Sequence, residues 1–173
     1  MRTLMRTQLK INGELKDVEI ENGEITIIEP EKKATGWERV KKMGKYNYIS
    51  FDATSNLDIE SYTPSDDVAY NAANYFADNH LAKNITRIQT LQRRMFRWQA
   101  ENDEPINRER ETQCKYYISY EHGTNDFTVL SGQHINLGFL PCFSTREKAK
   151  ECIEAFKDEL TWLFTEFKWR MDG

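Results

Sequence analysis

Tyr48-Ile49-Ser50-Phe51-Asp52 and Tyr117-Ile118-Ser119-Tyr120-Glu121 match position for position, and this recurrence decides the reading of the chain. Alternating aromatic, β-branched and polar residues favour strand, because successive side chains leave opposite faces of the backbone. Downstream of each copy comes a second match. Tyr75-Phe76-Ala77-Asp78 and Cys142-Phe143-Ser144-Thr145 each precede a long helical pattern, with Phe76 aligned to Phe143 and Ala82 to Ala149. Each unit therefore reads as strand, turn, return strand or loop, aromatic pair, helix cap and long amphipathic helix. The expected architecture is α+β, with two ββα-like repeats over 45–104 and 105–173.

Upstream, residues 1–28 read as a three-stranded antiparallel meander. Leu9 and Ile11, Val18 and Ile20, and Ile25 and Ile27 are alternating apolar pairs, separated by Asn12-Gly13 and Asn22-Gly23. Asn-Gly supplies the two positive φ angles that a tight hairpin requires. So small a sheet is marginal alone, so its apolar face is expected to pack on something else. Residues 29–44 read as a charged linker.

The helices carry recognisable caps and stripes. Asp78 or Asn79 is placed to cap the first, and Ser144-Thr145-Arg146-Glu147 reads as a capping box for the second. At 100° per residue, Leu81, Ile85, Ile88, Leu91, Met95 and Trp98 fall within an arc of about 140°. Ala149, Cys152, Ile153, Phe156, Leu160, Leu163, Phe164 and Phe167 fall within about 120°. Both stripes are the core sides of their helices.

Composition bounds the function classes. The chain has 173 residues, 39% hydrophobic, 12% aromatic and 30% charged, which excludes a disordered or collagen-like chain. The net charge of -4 opposes generic phosphate binding, since neutralising phosphates supplies most of a non-specific binder's affinity. Met1 to Arg6 lacks an apolar segment behind its charges, and no long apolar run follows, so a cytoplasmic protein without signal peptide or membrane contact is expected. Cys114, Cys142 and Cys152 form no C-x-x-C pair, and no metal or other cofactor is expected. There is no Walker A loop, G-x-G-x-x-G, H-E-x-x-H or G-x-S-x-G, and the histidines His80, His122 and His134 are scattered. No catalytic residue is assigned, and the chain reads as a non-enzyme.

Three surfaces remain as candidates. Arg87, Arg93, Arg94 and Arg97 cluster opposite the apolar stripe of the first long helix, with no acidic residue between Ile85 and Ala100. Guanidinium forks suit phosphates and carboxylates alike. Between residues 52 and 67 stand five carboxylates, Asp52, Asp58, Glu60, Asp66 and Asp67, with no lysine or arginine among them. Such a segment suits a basic partner channel, or protects an edge strand. Trp162 and Trp169 lie one heptad apart, off the apolar stripe, and are expected to be covered by the meander or by a second copy in a homodimer.

Thr35-Gly36-Trp37-Glu38-Arg39-Val40, followed by Tyr46-Asn47-Tyr48-Ile49-Ser50 and Asn74-Tyr75-Phe76, resembles a group of small proteins encoded by phages and prophages of Gram-positive bacteria. Lys115-Tyr116-Tyr117-Ile118-Ser119-Tyr120 and Asp158-Glu159-Leu160-Thr161-Trp162 continue the same grammar. The motifs are structural. The resemblance implies an accessory gene and a protein that binds and blocks host machinery, as anti-CRISPR and other anti-defence proteins do. The expected partner is a host protein or ribonucleoprotein complex. The alternative is a nucleic-acid-binding accessory protein using the arginine face.

Overall fold

The computed structural model describes residues 4–28, 34–106, 113–133 and 138–168. The chain separates into two units, Met1–Ala34 and Thr35–Gly173. The first is the expected antiparallel meander of β1 (Leu4–Ile11), β2 (Glu14–Glu21) and β3 (Glu24–Ile27). Both turns have positive φ at both residues, 52° and 90° at Asn12-Gly13 and 52° and 88° at Asn22-Gly23. The register sets Met5 against Ile20, Ile20 against Ile25 and Val18 against Ile27, which gathers the apolar side chains on one face.

In the second unit, β4 (Lys45–Ile49) and β5 (Ser55–Ile59) form a hairpin, followed by α1 (Pro64–Asn71) and the long α2 (Asn79–Asn102). Next, β6 (Lys115–Glu121) and β7 (Asp126–Gly132) form another hairpin. Then come the short β8 (Cys142–Phe143), α3 (Arg146–Ala155) and α4 (Lys157–Thr165). After each hairpin the chain returns to its first strand. Phe76 bridges to Asn47, and Phe143 pairs with Tyr116. Two residues beyond each phenylalanine stands a helix cap: Asp78 accepts from Leu81 N at 2.6 Å, and Thr145 from Lys148 N at 3.2 Å.

Four expectations change. The cap of α3 is Thr145 rather than Ser144, whose N–H and hydroxyl are instead bound by the Asp103 carboxylate. The last helix is interrupted at Phe156, whose φ of -127° takes it off the helical track, so α3 and α4 replace one long helix. The acidic stretch contains an unforeseen helix, α1, opened by a capping box in which Thr63 and Asp66 bond reciprocally and Pro64 takes the first position. Residues 35–44 do not form a linker: Gly36 O accepts from Ala77 N, and the Trp37 ring lies 5.0 Å from that of Phe76.

The stripe of α2 spans both hairpins. Leu81, Ala82 and Ile85 pack with Phe76, Ile49 and Trp37, whereas Leu91 and Met95 join Ile118, Val129, Phe143, Cys152, Ile153, Phe156 and Leu160. Residues 45–104 and 105–173 are thus parts of one unit, sharing α2. Burial pushes the Cys152 thiol up to about 12, and Cys142 is also buried, whereas Cys114 is exposed. A thiol-reactive disulfide reagent at pH 8 will therefore titrate one of the three cysteines quickly in the native protein and all three after denaturation. Three fast thiols would mean that this core is open.

Candidate interaction surface

The carboxylates of residues 52–67 do not form one acidic surface. Glu60 is completely buried, and Arg39 grips it with two bonds, Nε to Oε2 at 2.8 Å and Nη2 to Oε1 at 3.1 Å. The same guanidinium donates to Asp67 at 2.7 Å and lies over the rings of Tyr62 and Tyr70. Tyr75 donates to Glu60 at 2.9 Å, and its ring stacks on Tyr46, which donates to buried Asp66 at 2.9 Å. Glu60 and Asp66 therefore organise the fold and face no partner, which corrects their placement on a docking patch. A carboxylate withdrawn from water requires a counter-ion and hydrogen bonds. Arg39, absent from the candidates above, supplies that counter-ion from 21 residues upstream.

The charges answer to these contacts. Hydrogen bonding from Arg39 lowers Glu60, and the bonds from Thr63 hold Asp66 well below the usual carboxylate range. Glu38, bonded by the Thr35 hydroxyl and the N–H groups of Thr35 and Gly36, is lowered to about 2. Depressed carboxylates contribute stability that is complete above their unfolded pKa, near 4–4.5, and is lost as pH falls through the folded value. Urea midpoints should hold from pH 7 to about 5 and fall steeply towards pH 2. A flat profile down to pH 3 would contradict these assignments.

The arginine face is partly consumed as well. The Arg87 guanidinium lies 3.9 Å from the Trp162 ring centroid, and Phe167 meets that ring edge-on at 5.5 Å. Trp162 is buried, with Arg87 of α2 and Phe167 of its own C-terminal segment against its ring. Trp169 lies outside the described residues. Arg94 pairs with Glu159 at 2.8 Å and lies over Phe156. Arg87, Arg94, Asp158 and Glu159 line a cleft of about 450 Å³ between α2 and α4 in which both signs of charge face each other. Arg93 and Arg97 remain exposed, Arg93 with a long contact of 3.5 Å to Thr90.

Arg93 borders a feature that the charge pattern does not mark. At the β4–β5 tip, Phe51 is fully exposed. Its turn is tied down: Asp52 accepts from the Ser50 hydroxyl and from Thr54 N and Oγ1, and Asn56 Nδ2 donates to Ser50 Oγ at 2.8 Å. These bonds lower Asp52, with Ser50 contributing most. Ala53 takes the positive φ of 61° that closes the turn. A groove of about 260 Å³ runs beside the tip, lined by Phe51, Ser50, Ala73, Asn74, Gln89 and Arg93. Asp58 is exposed on β5 and accepts from the N–H of Ile59. Exposed large apolar residues of the second unit concentrate in the first hairpin and its flanks, residues 43–70: Met43, Phe51, Leu57, Ile59, Tyr62, Val68 and Tyr70, against Leu130 in the other hairpin.

Among the described residues, no group of three His, Cys, Asp or Glu is placed to hold a metal ion, and no helix is long and apolar enough to cross a membrane. No family model, no curated protein and no solved structure matches the chain.

Proposed function

We propose that the protein is a phage accessory protein, working in the bacterial cytoplasm without chemistry of its own, that binds and blocks a host macromolecular complex of the CRISPR-type defence class. The observation that carries this reading is Phe51, a fully exposed ring on a turn immobilised by its own hydrogen bonds, beside a groove ending at Arg93. A large apolar side chain presented on a rigid turn loses little entropy on docking, and aromatic and arginine anchors dominate interface energetics. The phage context rests on the motif resemblance. The target class rests on the surfaces such nucleases offer, basic channels beside bound RNA.

The two hairpin–helix modules are read as copies of one ancestral unit, the first specialised for docking. What supports this is the recurrence of Asn47–Phe76 as Tyr116–Phe143, each two residues before a helix cap, with Ala82 and Ala149 both fully buried six residues on. A second reading, single-stranded nucleic-acid binding, is favoured by one observation. Phe51 and Arg93 share the groove, and a ring with a guanidinium is the pairing that stacks a base and holds a phosphate.

The test is phage plating on cells with and without nuclease immunity. The wild-type chain should restore plating on immune cells, and Phe51→Ala with Arg93→Glu should lose at least about tenfold of that effect, as truncation of a hot spot does. Undiminished protection by the double variant would reject this surface, and a wild-type chain inert against every immunity tested would reject the function. Retention on single-stranded DNA or RNA that weakens steeply with salt would favour the second reading.

A further inference from the structure

We propose that the outer edge of β5 takes up an extended protein segment of alternating basic and apolar residues by strand addition. The inference rests on the partner-binding reading and specifies its partner. The inner side of the hairpin is closed. Asn47 exchanges both backbone hydrogen bonds with Phe76 at 2.8 Å, and Ile49 spends its N–H and carbonyl on the Asn74 side chain at 2.8 and 2.9 Å. Asn47 and Ile49 stand opposite Leu57 and Ser55 in the register. Because bonded pairs alternate along an antiparallel ladder, Leu57 and Ser55 direct their backbone groups away from β4. Ile59 follows the same parity, and its outward N–H is occupied by Asp58 Oδ1 at 2.8 Å.

The second hairpin manages the equivalent edge differently. On β7, Asp126 takes the Phe127 N–H at 2.8 Å as Asp58 takes that of Ile59, but the Arg146 guanidinium also donates to the Val129 carbonyl at 2.6 Å, placing a cation in mid-edge. Among the described residues no lysine or arginine donates to a β5 carbonyl; only the Ile59 carbonyl, at the strand end, accepts from a side chain, the Ser61 hydroxyl at 3.4 Å. Leu57 is 59% exposed and Ile59 43%, two apolar side chains on one face of an open edge, the arrangement that folded proteins ordinarily suppress. An added strand gains main-chain bonds from the edge and selectivity from alternate side chains.

Charge selects the occupant. Asp58 lies between Leu57 and Ile59, and residues 52–67 contain no lysine or arginine. A second copy paired through this edge would bring two exposed Asp58 carboxylates opposite or diagonal to each other, whereas a strand with lysine or arginine on the Asn56–Asp58 face and apolar residues beside Leu57 and Ile59 complements it. Its arrival also frees Asp58 from Ile59 N–H, so that the carboxylate meets the incoming cation while the amide joins the new ladder.

The test is titration of the full ¹⁵N-labelled chain with a capped (Lys-Val)4 peptide, followed by amide shifts. Shifts should concentrate at Ser55, Leu57 and Ile59, and the Leu57 amide should exchange more slowly with solvent. Capped (Glu-Val)4, and a lysine peptide with a central proline, should give at least about tenfold weaker binding, since like charge and a missing donor each oppose pairing. Leu57→Pro should abolish binding while keeping β4–β5 cross-strand contacts, because that N–H is outside the ladder. If this variant misfolds, Leu57→Thr combined with Ile59→Lys should give the same loss. Equal binding of the glutamate peptide, shifts centred elsewhere, or edge shifts that grow with protein concentration without peptide, the mark of a second copy, would each overturn the proposal. Loss of peptide binding with phage protection intact would sink this inference alone; the reverse would sink the blocking function alone.

Discussion

Replacing Phe143 by alanine should lower the unfolding free energy of the Thr35–Gly173 unit by about 3–5 kcal/mol, the range for a fully buried aromatic ring. Phe143 is completely buried, pairs with Tyr116 across β8 and β6, meets Trp98 edge-on, and belongs to the cluster joining α2, α3, α4 and the second hairpin. Truncation leaves a cavity that four elements must close at once. Denaturant unfolding should show a lower midpoint at unchanged slope. Phe51→Ala, removing the same side chain from an exposed turn, should stay within about 0.5 kcal/mol of wild type, as surface substitutions do. A Phe143→Ala loss under about 1.5 kcal/mol would mean that the ring is not enclosed.

The second large effect is electrostatic. Arg39→Ala removes the counter-ion of Glu60, leaving a carboxylate in the interior with only Tyr75 Oη and Tyr62 N donating to it. Breaking a buried pair by removing one partner is far costlier than replacing both by apolar groups. For a unit of this size, the melting temperature should fall by about 10 °C or more. Arg39→Met with Glu60→Leu should regain most of that loss. Equal melting temperatures for wild type and Arg39→Ala would show that the pair is solvated.

The contrast between these residues and Phe51 explains what the sequence made legible. Local signals were readable because their physics is local: the Asn-Gly turns set φ, Asp78 caps within its own turn, and the stripe from Leu81 to Met95 repeats at helical spacing. Thr63-Pro64-Ser65-Asp66 was equally readable as a helix start, yet the carboxylates around it pointed to a charged surface instead. The fate of Glu60 and Trp162 was not legible, because their partners Arg39 and Arg87 are distant in sequence and only the fold brings them together. The break at Phe156 carries no Gly or Pro, and the apolar arc runs through it unchanged. The candidate surface was half legible. Arg93 and Asp58 stood in the charge pattern, whereas the exposure of Phe51, at the same place in its strand motif as Tyr120, is a tertiary fact. Tyr120 stacks on Phe164 of α4, and Phe51 has no such cover.

On this reading the first hairpin is left open for a partner and the second is closed by its own helices. Photo-crosslinking in phage-host cells tests it most directly, with a photoreactive phenylalanine placed in turn at position 51 and at position 130, an exposed site on the second hairpin. Position 51 should give a discrete adduct that weakens when Arg93→Glu is added, and position 130 should give none. Equal labelling from the two positions, or none from position 51 in cells where the chain protects phage, would contradict it.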